Sequence, residues 1–430
     1  MSSPQPAMPA PRVLAGTTSA TAAHTPTPLA AGERLTAFEW LRAGAGLGVV
    51  LLHACVPYLT HPMQFLAWPV QDRASSLVNG LFWTIELLIM PVFLVIAGFF
   101  AVRSLAGRSR IAFLKHRAAR LLLPLAVVGA VILPLDLYSW LLGWVVEGQI
   151  DFRKMQSLKF AAGMDDHLWG LSHLWFLQYL FLYCAVYAGC HALWPASLHS
   201  LSARYLLRRT TLLGLLAAGA ITLTIAPEVV FGFQHDFLPF ASKWIYHGTF
   251  FAGGIWLAIY DTSLRKTRRL GRRMLLLGAM SATASLVAGM RYLEGSSDPG
   301  LRLLLGCSTT IAAWALTMGL VGLALRYATT TNRVISYLAA ASFWIYLVHH
   351  PLVGLIHTDL KILLPDAWPL AKALTAMALT TLWCLASFEV LVRRTALGRL
   401  LGVRQPPRMP KVAESESKNQ PVTMPIRRAA

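Results

Sequence analysis

Ten apolar runs recur along the chain, at about 38–58, 77–101, 119–142, 172–193, 210–227, 242–260, 273–291, 303–325, 336–357 and 369–392, with short polar connections between them. A helix needs roughly 20 predominantly apolar residues to cross a bilayer. The pattern predicts an all-α, polytopic membrane protein with about ten transmembrane helices. Residues 1–34 are rich in Ala, Pro, Thr and Ser and lack the apolar stretch of a signal peptide. Residues 396–430 are polar in the same way. The expected organisation is a disordered N-terminal tail (1–34), one membrane domain (35–395) and a disordered cytoplasmic C-terminal tail (396–430).

Composition agrees with the pattern. Of 430 residues 56% are hydrophobic and only 13% charged, against about 25% charged in soluble domains. A formal net charge of +19 would suit nucleic acid, but the positive residues sit in short loops between apolar runs, without an aromatic-basic module. They read instead as orientation signals. The connections spanning 103–120, 204–209, 265–273 and 326–333 hold 17 Lys and Arg, and the alternate connections hold 8. Because cytoplasmic loops carry the excess, the first set and both termini are expected inside. The five cysteines all fall in apolar runs without paired spacing, so neither a disulfide framework nor a metal site is expected.

The candidate chemistry lies where titratable residues interrupt hydrocarbon. Arg42 and His53 are eleven residues apart, about 20° past three full helical turns, so they share a face about 16 Å apart along the axis. His53 is well inside its span, where an ionisable group is a functional-site hypothesis by default. It suits a proton acceptor near neutral pH, or a buried His satisfied by a backbone carbonyl. Glu86, in "FWTIELLIMP", needs a partner or a proton. His349 and His350 precede Pro351, which frees the carbonyl around Leu347 and kinks the helix. Consecutive helical residues diverge by about 100°, so at most one of the pair is expected to face the cavity of His53. His173 and Trp175 enter the fourth span, as interfacial anchors or as substrate contacts. Arg117 and Arg120, i and i+3 on an opening helical turn, can grip phosphate oxygens, salt-bridge partners or lipid headgroups. Glu389, beside Arg393 and Arg394, reads as a helix-end pair.

In order along the chain, "FEWLRAGAGLGVVLLHA", "PVFLVIAGFF", "KHRAARLLLP", "HLWFLQYLFLY" and "SFWIYLVHHP" resemble the acyltransferase family 3 membrane proteins. The resemblance covers about residues 35–395 and is greatest to the branch known as glucan biosynthesis protein C, with Glu39 where many relatives have Asp. It implies transfer of an acyl group, acetyl or succinyl, from cytosolic acyl-CoA to a hydroxyl of a periplasmic or cell-surface carbohydrate, at a bacterial inner membrane. It assigns His53 as the catalytic histidine, Arg42 as the arginine of its motif, and Arg117 and Arg120 as donor-binding residues. Glu86, His349 or His350 would orient the imidazole of His53, and His173, Trp175 and His349 would contact the acceptor. The expected partners are acyl-CoA, a carbohydrate acceptor, the lipid bilayer and glycan synthesis or export proteins, with no metal and no nucleic acid. The rival expectation is a proton-coupled carrier or flippase with His53 and Glu86 as relay; the chain lacks the duplicated halves that would favour it.

Overall fold

The computed structural model describes residues 36–193, 201–330 and 332–403. The tail expected at 1–34, and 404–430 of the other, lie outside the described residues. Among the described residues the chain is all α-helical, with no β-strand. Ten long helices, α1 (Thr36–Cys55), α2 (Ser76–Ala106), α3 (Arg110–Val146), α5 (Trp175–Leu193), α6 (Leu201–Ile225), α8 (Ala241–Tyr260), α9 (Arg265–Leu293), α10 (Pro299–Tyr327), α11 (Arg333–Leu363) and α12 (Pro369–Ser387), fall on the ten apolar runs. Three short ones, α4 (Lys154–Ser157), α7 (Glu228–Phe231) and α13 (Ala396–Leu401), join them. The chain is a polytopic membrane protein.

Eight of the ten long helices are long and apolar enough to cross a membrane; α6 and α8 fall short of that apolarity. The polar residues responsible are Arg208 and Arg209 in α6 and Lys243 and His247 in α8. Both helices nevertheless pack within the bundle, α8 between α2 and α6. Burial separates inner from outer helices: 72% of the apolar window is buried in α10 and α11, and 28% in α3, α9 and α12. The outer three therefore present apolar side chains such as Val131, Met280 and Leu382 outwards, as a lipid-facing surface requires.

Local chemistry sets the helix ends. Side chains of Ser75, Ser109, Asp298 and Asn332 accept from backbone N–H groups three residues on, occupying donors that a helix leaves unpaired. The Ser109 cap starts α3 at Arg110. Arg117 and Arg120, expected on an opening turn, are thus about two and three turns inside the helix. Residues 396–401 are helical, so the segment expected as a tail begins with α13, which ends at Gly402 in the left-handed region (φ 78°). A Cβ there would overlap the Arg120 guanidinium. The Glu389–Arg393 pair forms as expected, in the π-helical turn Phe388–Val392 that ends α12.

The backbones of α2 and α8 nearly touch. A Cβ on Gly254 would lie 2.2 Å from the Val95 carbonyl oxygen and 2.8 Å from the Phe99 nitrogen, so only glycine permits this approach. Around the cavity described below, three loops are tied by hydrogen bonds. Phe233 N donates to Gln64 O (2.8 Å), Leu171 N to His235 O (2.7 Å) and His235 Nε2 to His167 O (3.1 Å). Burial of His235 pushes its imidazole from 6.5 down to about 4.

Two outcomes follow from this packing. Gly254→Ala is expected to cost about 1–3 kcal/mol through overpacking, whereas Gly44→Ala, with nothing within 4 Å of its Cβ position, is expected to leave the melting temperature unchanged. Equal melting of the two variants in detergent would contradict the α2–α8 contact. For His235 the unfolded chain takes up a proton below about 6.5 and the folded one only near 4, so stability is lost as pH falls through that window. At about 1.4 kcal/mol per unit the loss is about 3 kcal/mol. Thermal unfolding from pH 7 to pH 4 checks it: His235→Gln should lose less stability than the parent, and an equal loss would refute the assignment.

Candidate active site

The sequence pattern sets polar side chains into five apolar helices, and the bundle turns several of them inward onto one partly open cavity. His53 of α1, Glu86 of α2, Trp175 of α5, Lys243 and His247 of α8 and Tyr346 of α11 line it, together with His173 of the 3-10 turn Ser172–Leu174. Loop residues Met63, Leu66, Gly232 and Phe233 complete the wall on the side of the Gln64–Phe233 bond. Four of the residues singled out from sequence, His53, Glu86, His173 and Trp175, therefore meet here.

Behind His53 lies a knot of imidazoles. Pro351 has no N–H to give to Leu347, four residues before it, and the freed carbonyl accepts from His173 Nε2 at 3.2 Å. Tyr346 OH returns a bond to the His173 carbonyl (2.6 Å). His349 donates Nδ1–H to the carbonyls of Ile345 and Tyr346 (3.0 and 2.9 Å). His350 instead donates Nδ1–H to Asp136 Oδ1 of α3 (2.6 Å), while Ser172 Oγ donates to Asp136 Oδ2 (2.5 Å). Asp136 is 1% exposed and His350 and His349 0%, so these are interior bonds and their strength is not diluted by water.

Although His349 and His350 diverge along α11, the His53 ring sits between them, with centroids at 5.1 and 4.6 Å. Both touch His53, and neither lines the cavity. Trp68 covers a face of His53 in parallel stacking at 5.9 Å. Three ring nitrogens of this cluster, His53 Nδ1, His349 Nε2 and His350 Nε2, are buried without a hydrogen-bond partner.

The opposite wall is charged. Lys243 is 4% exposed; its Nζ donates to the Gln234 carbonyl and sits 3.6 Å from the centroid of the Trp175 ring, a desolvated cation–π contact. Glu86 faces the same space, within electrostatic reach of Lys243. His247 Nδ1–H donates to the Lys243 carbonyl (3.0 Å). Counted above among loop charges that set orientation, Lys243 is instead an interior residue of α8.

The three arginines take separate local partners. Arg42 Nη2 donates to the Ala339 carbonyl of α11 (3.2 Å). The Arg117 guanidinium lies over the Phe113 ring (5.2 Å) with its Nε buried and unpaired, and Arg120 lies against Gly402. None lines the cavity.

The sequence reading passes over Asp136, Lys243, His247 and His357, whose Nε2 donates to the Ala54 carbonyl (3.2 Å). Asp136 carried a usable signal, being the sole acid in the run 119–142. Asp136, His173 and His350 also offer an oxygen and two ring nitrogens within 4.8 Å of one another, a spacing open to a metal ion. Both carboxylate oxygens already accept short hydrogen bonds, so the donor set is satisfied by protons alone.

A family model described as an acyltransferase domain, that of the acyltransferase 3 family, matches residues 35–389. No curated protein and no solved structure matches the chain. Since the match takes in all ten long helices whole, with every residue of the cavity, the chain belongs to the acyltransferase 3 family and is a membrane acyltransferase.

Proposed function

We propose that this chain is an O-acyltransferase of a bacterial inner membrane that moves an acyl group, acetyl or succinyl, from cytosolic acyl-CoA to a hydroxyl of a periplasmic or cell-surface carbohydrate such as a glucan. The observation that carries the reading is His53: in a chain of this family, the histidine eleven residues after Arg42 lines an interior cavity. The acceptor hydroxyl loses its proton to His53 as its oxygen attacks the thioester carbon, and the thiolate leaves. Glu86 and Lys243 supply an acceptor and a donor for other hydroxyls, and Trp175 an apolar platform.

Arg42, Arg117 and Arg120 bind the phosphates of the donor, with the thioester arm running along α1 toward His53. Their position favours this role: Arg42 is near the start of α1, about 16 Å from His53 along its axis, and the other two are in the first half of α3. Glycan synthesis or export proteins are the partners such an enzyme would serve. The carrier reading assigns His53 and Glu86 to a proton path; family membership favours transfer chemistry at the same residues.

His53→Ala is expected to lower transfer by about 10²–10⁴-fold with acyl-CoA affinity nearly intact, because a general base acts in the transition state. Thiol release from acetyl-CoA or succinyl-CoA, with a periplasmic glucan fraction as acceptor, measures it. Activity above about a tenth of the parent would sink the assignment. Mass spectrometry of glycans from cells with and without the protein identifies the acyl group.

Arg117→Ala should weaken acyl-CoA binding in calorimetric titration, and Lys at this position should restore it only in part, since an ammonium lacks the planar fork. Arg120→Ala should do the same, with an added loss of thermal stability from its packing on Gly402. Parental affinity in both variants would leave these arginines as orientation signals and move the donor site elsewhere.

A further inference from the structure

The reading above gives no task to Asp136, a carboxylate buried in a helix that otherwise faces largely outward. Its bond to His350 fixes a tautomer. An imidazole that donates Nδ1–H to a carboxylate carries its lone pair on Nε2. That nitrogen is buried and has no hydrogen-bond partner. His350 is 0% exposed and absent from the cavity wall, so it cannot touch a substrate.

What His350 does touch is His53. The rings are 4.6 Å apart and nearly perpendicular (81°). His53 likewise has a buried, unpartnered nitrogen, Nδ1, while its ring lines the cavity. One orphan is a fixed lone pair; the other is satisfied if it carries a proton. A rotation of the His53 ring that turns Nδ1 toward His350 Nε2 would pair them.

Resting on the reading of His53 as base, we infer that Asp136 and His350 are positioning residues that hold His53 with its proton on Nδ1 and its lone pair on Nε2, toward the cavity. The acceptor proton passes to His53 Nε2 as the new C–O bond forms. The C–S bond breaks, and the departing thiolate takes that proton to give CoA thiol and the ester. While His53 is doubly protonated, its charge is balanced through His350 by the Asp136 carboxylate. The arrangement assigns these two residues the part of the third member in a nucleophile or base triad. His349 also presents an unpartnered Nε2 near His53, but its Nδ1–H is held by backbone carbonyls and no carboxylate stands behind it.

The test compares the full-length parent, Asp136→Asn, Asp136→Glu and His53→Ala in nanodiscs, by thiol release from acetyl-CoA or succinyl-CoA with the glucan fraction, across pH. Asn can turn its amide N–H toward His350 Nδ1 and reverse the tautomer. A loss of about 100-fold in kcat is expected, with KM for acyl-CoA within about twofold of the parent. The pH profile should also change, and Asp136→Glu should recover part of the rate. Nitrogen-15 spectra of histidine-labelled parent protein are expected to show His350 as the Nδ1–H tautomer, a reading that holds even if Asp136→Asn fails to fold. An Nε2–H tautomer in the parent, or kcat of a folded Asp136→Asn within about threefold of the parent, overturns the inference. An active His53→Ala overturns the base reading and this inference with it; an inactive one beside an intact Asp136→Asn overturns the inference alone.

Discussion

A carboxylate inside an apolar bundle must be given donors, and the interior of this protein is arranged around that demand. Desolvating Asp136 is costly unless both oxygens are hydrogen-bonded. His350 of α11 and Ser172 at the entry of α5 meet the need at 2.6 and 2.5 Å. Those two bonds fix α3, α11 and α5 in one register. The carbonyl freed by Pro351 extends the same logic, because Leu347 would be an unpaired acceptor if His173 did not reach it. A helix defect and a buried acid are thus answered by side chains from one turn, Ser172 and His173. Slippage of α11 against α5 by a single residue would orphan several polar groups at once.

His53 stands on the edge of this knot, with rigid imidazoles behind it and the cavity in front. Across the space are Glu86, half-buried, and Lys243, buried. In a low-dielectric enclosure fixed charges and dipoles act more strongly than in water and need no reorganisation as a reaction proceeds. Such a wall suits a polar guest, since lost hydration is replaced by oriented groups. Lys243 is held over Trp175 and by the Gln234 carbonyl, so its charge is available at one place only. The loops that close the wall are held by hydrogen bonds, among them Phe233 N to Gln64 O and Leu171 N to His235 O.

The helices are legible because apolar runs of roughly 20 residues have one solution in hydrocarbon. The same criterion, an ionisable residue where lipid would exclude it, singles out His53, Glu86, His173 and Trp175's neighbourhood, and the fold gathers them. Asp136 meets that criterion too, but its importance lies in contacts to residues 36 and 214 positions away, which no local pattern reports. Lys243 misleads for a different reason. It falls near the start of a helix, where Lys and Arg normally mark orientation, and its depth depends on the length of the loops around it. The start of α3 is missed because its first two turns are polar and look like a connection until Ser109 is seen to cap them.

The arginines and the cavity pose a problem of distance rather than of contact. On α1, Arg42 and His53 share a face but are about 16 Å apart, and Arg42 engages the Ala339 carbonyl of α11 instead of the cavity. A small neutral reactant would have no use for a cation so far from the base. An acyl carrier with phosphates at one end and a thioester at the other end of a long flexible arm does, because charge and reactivity must be held apart while both are bound. On the proposed function, binding energy gathered at the arginines would orient the thioester at His53 without placing a polyanion in the apolar interior. The separation read along one helix thus suits the long, two-ended donor that the proposed function calls for.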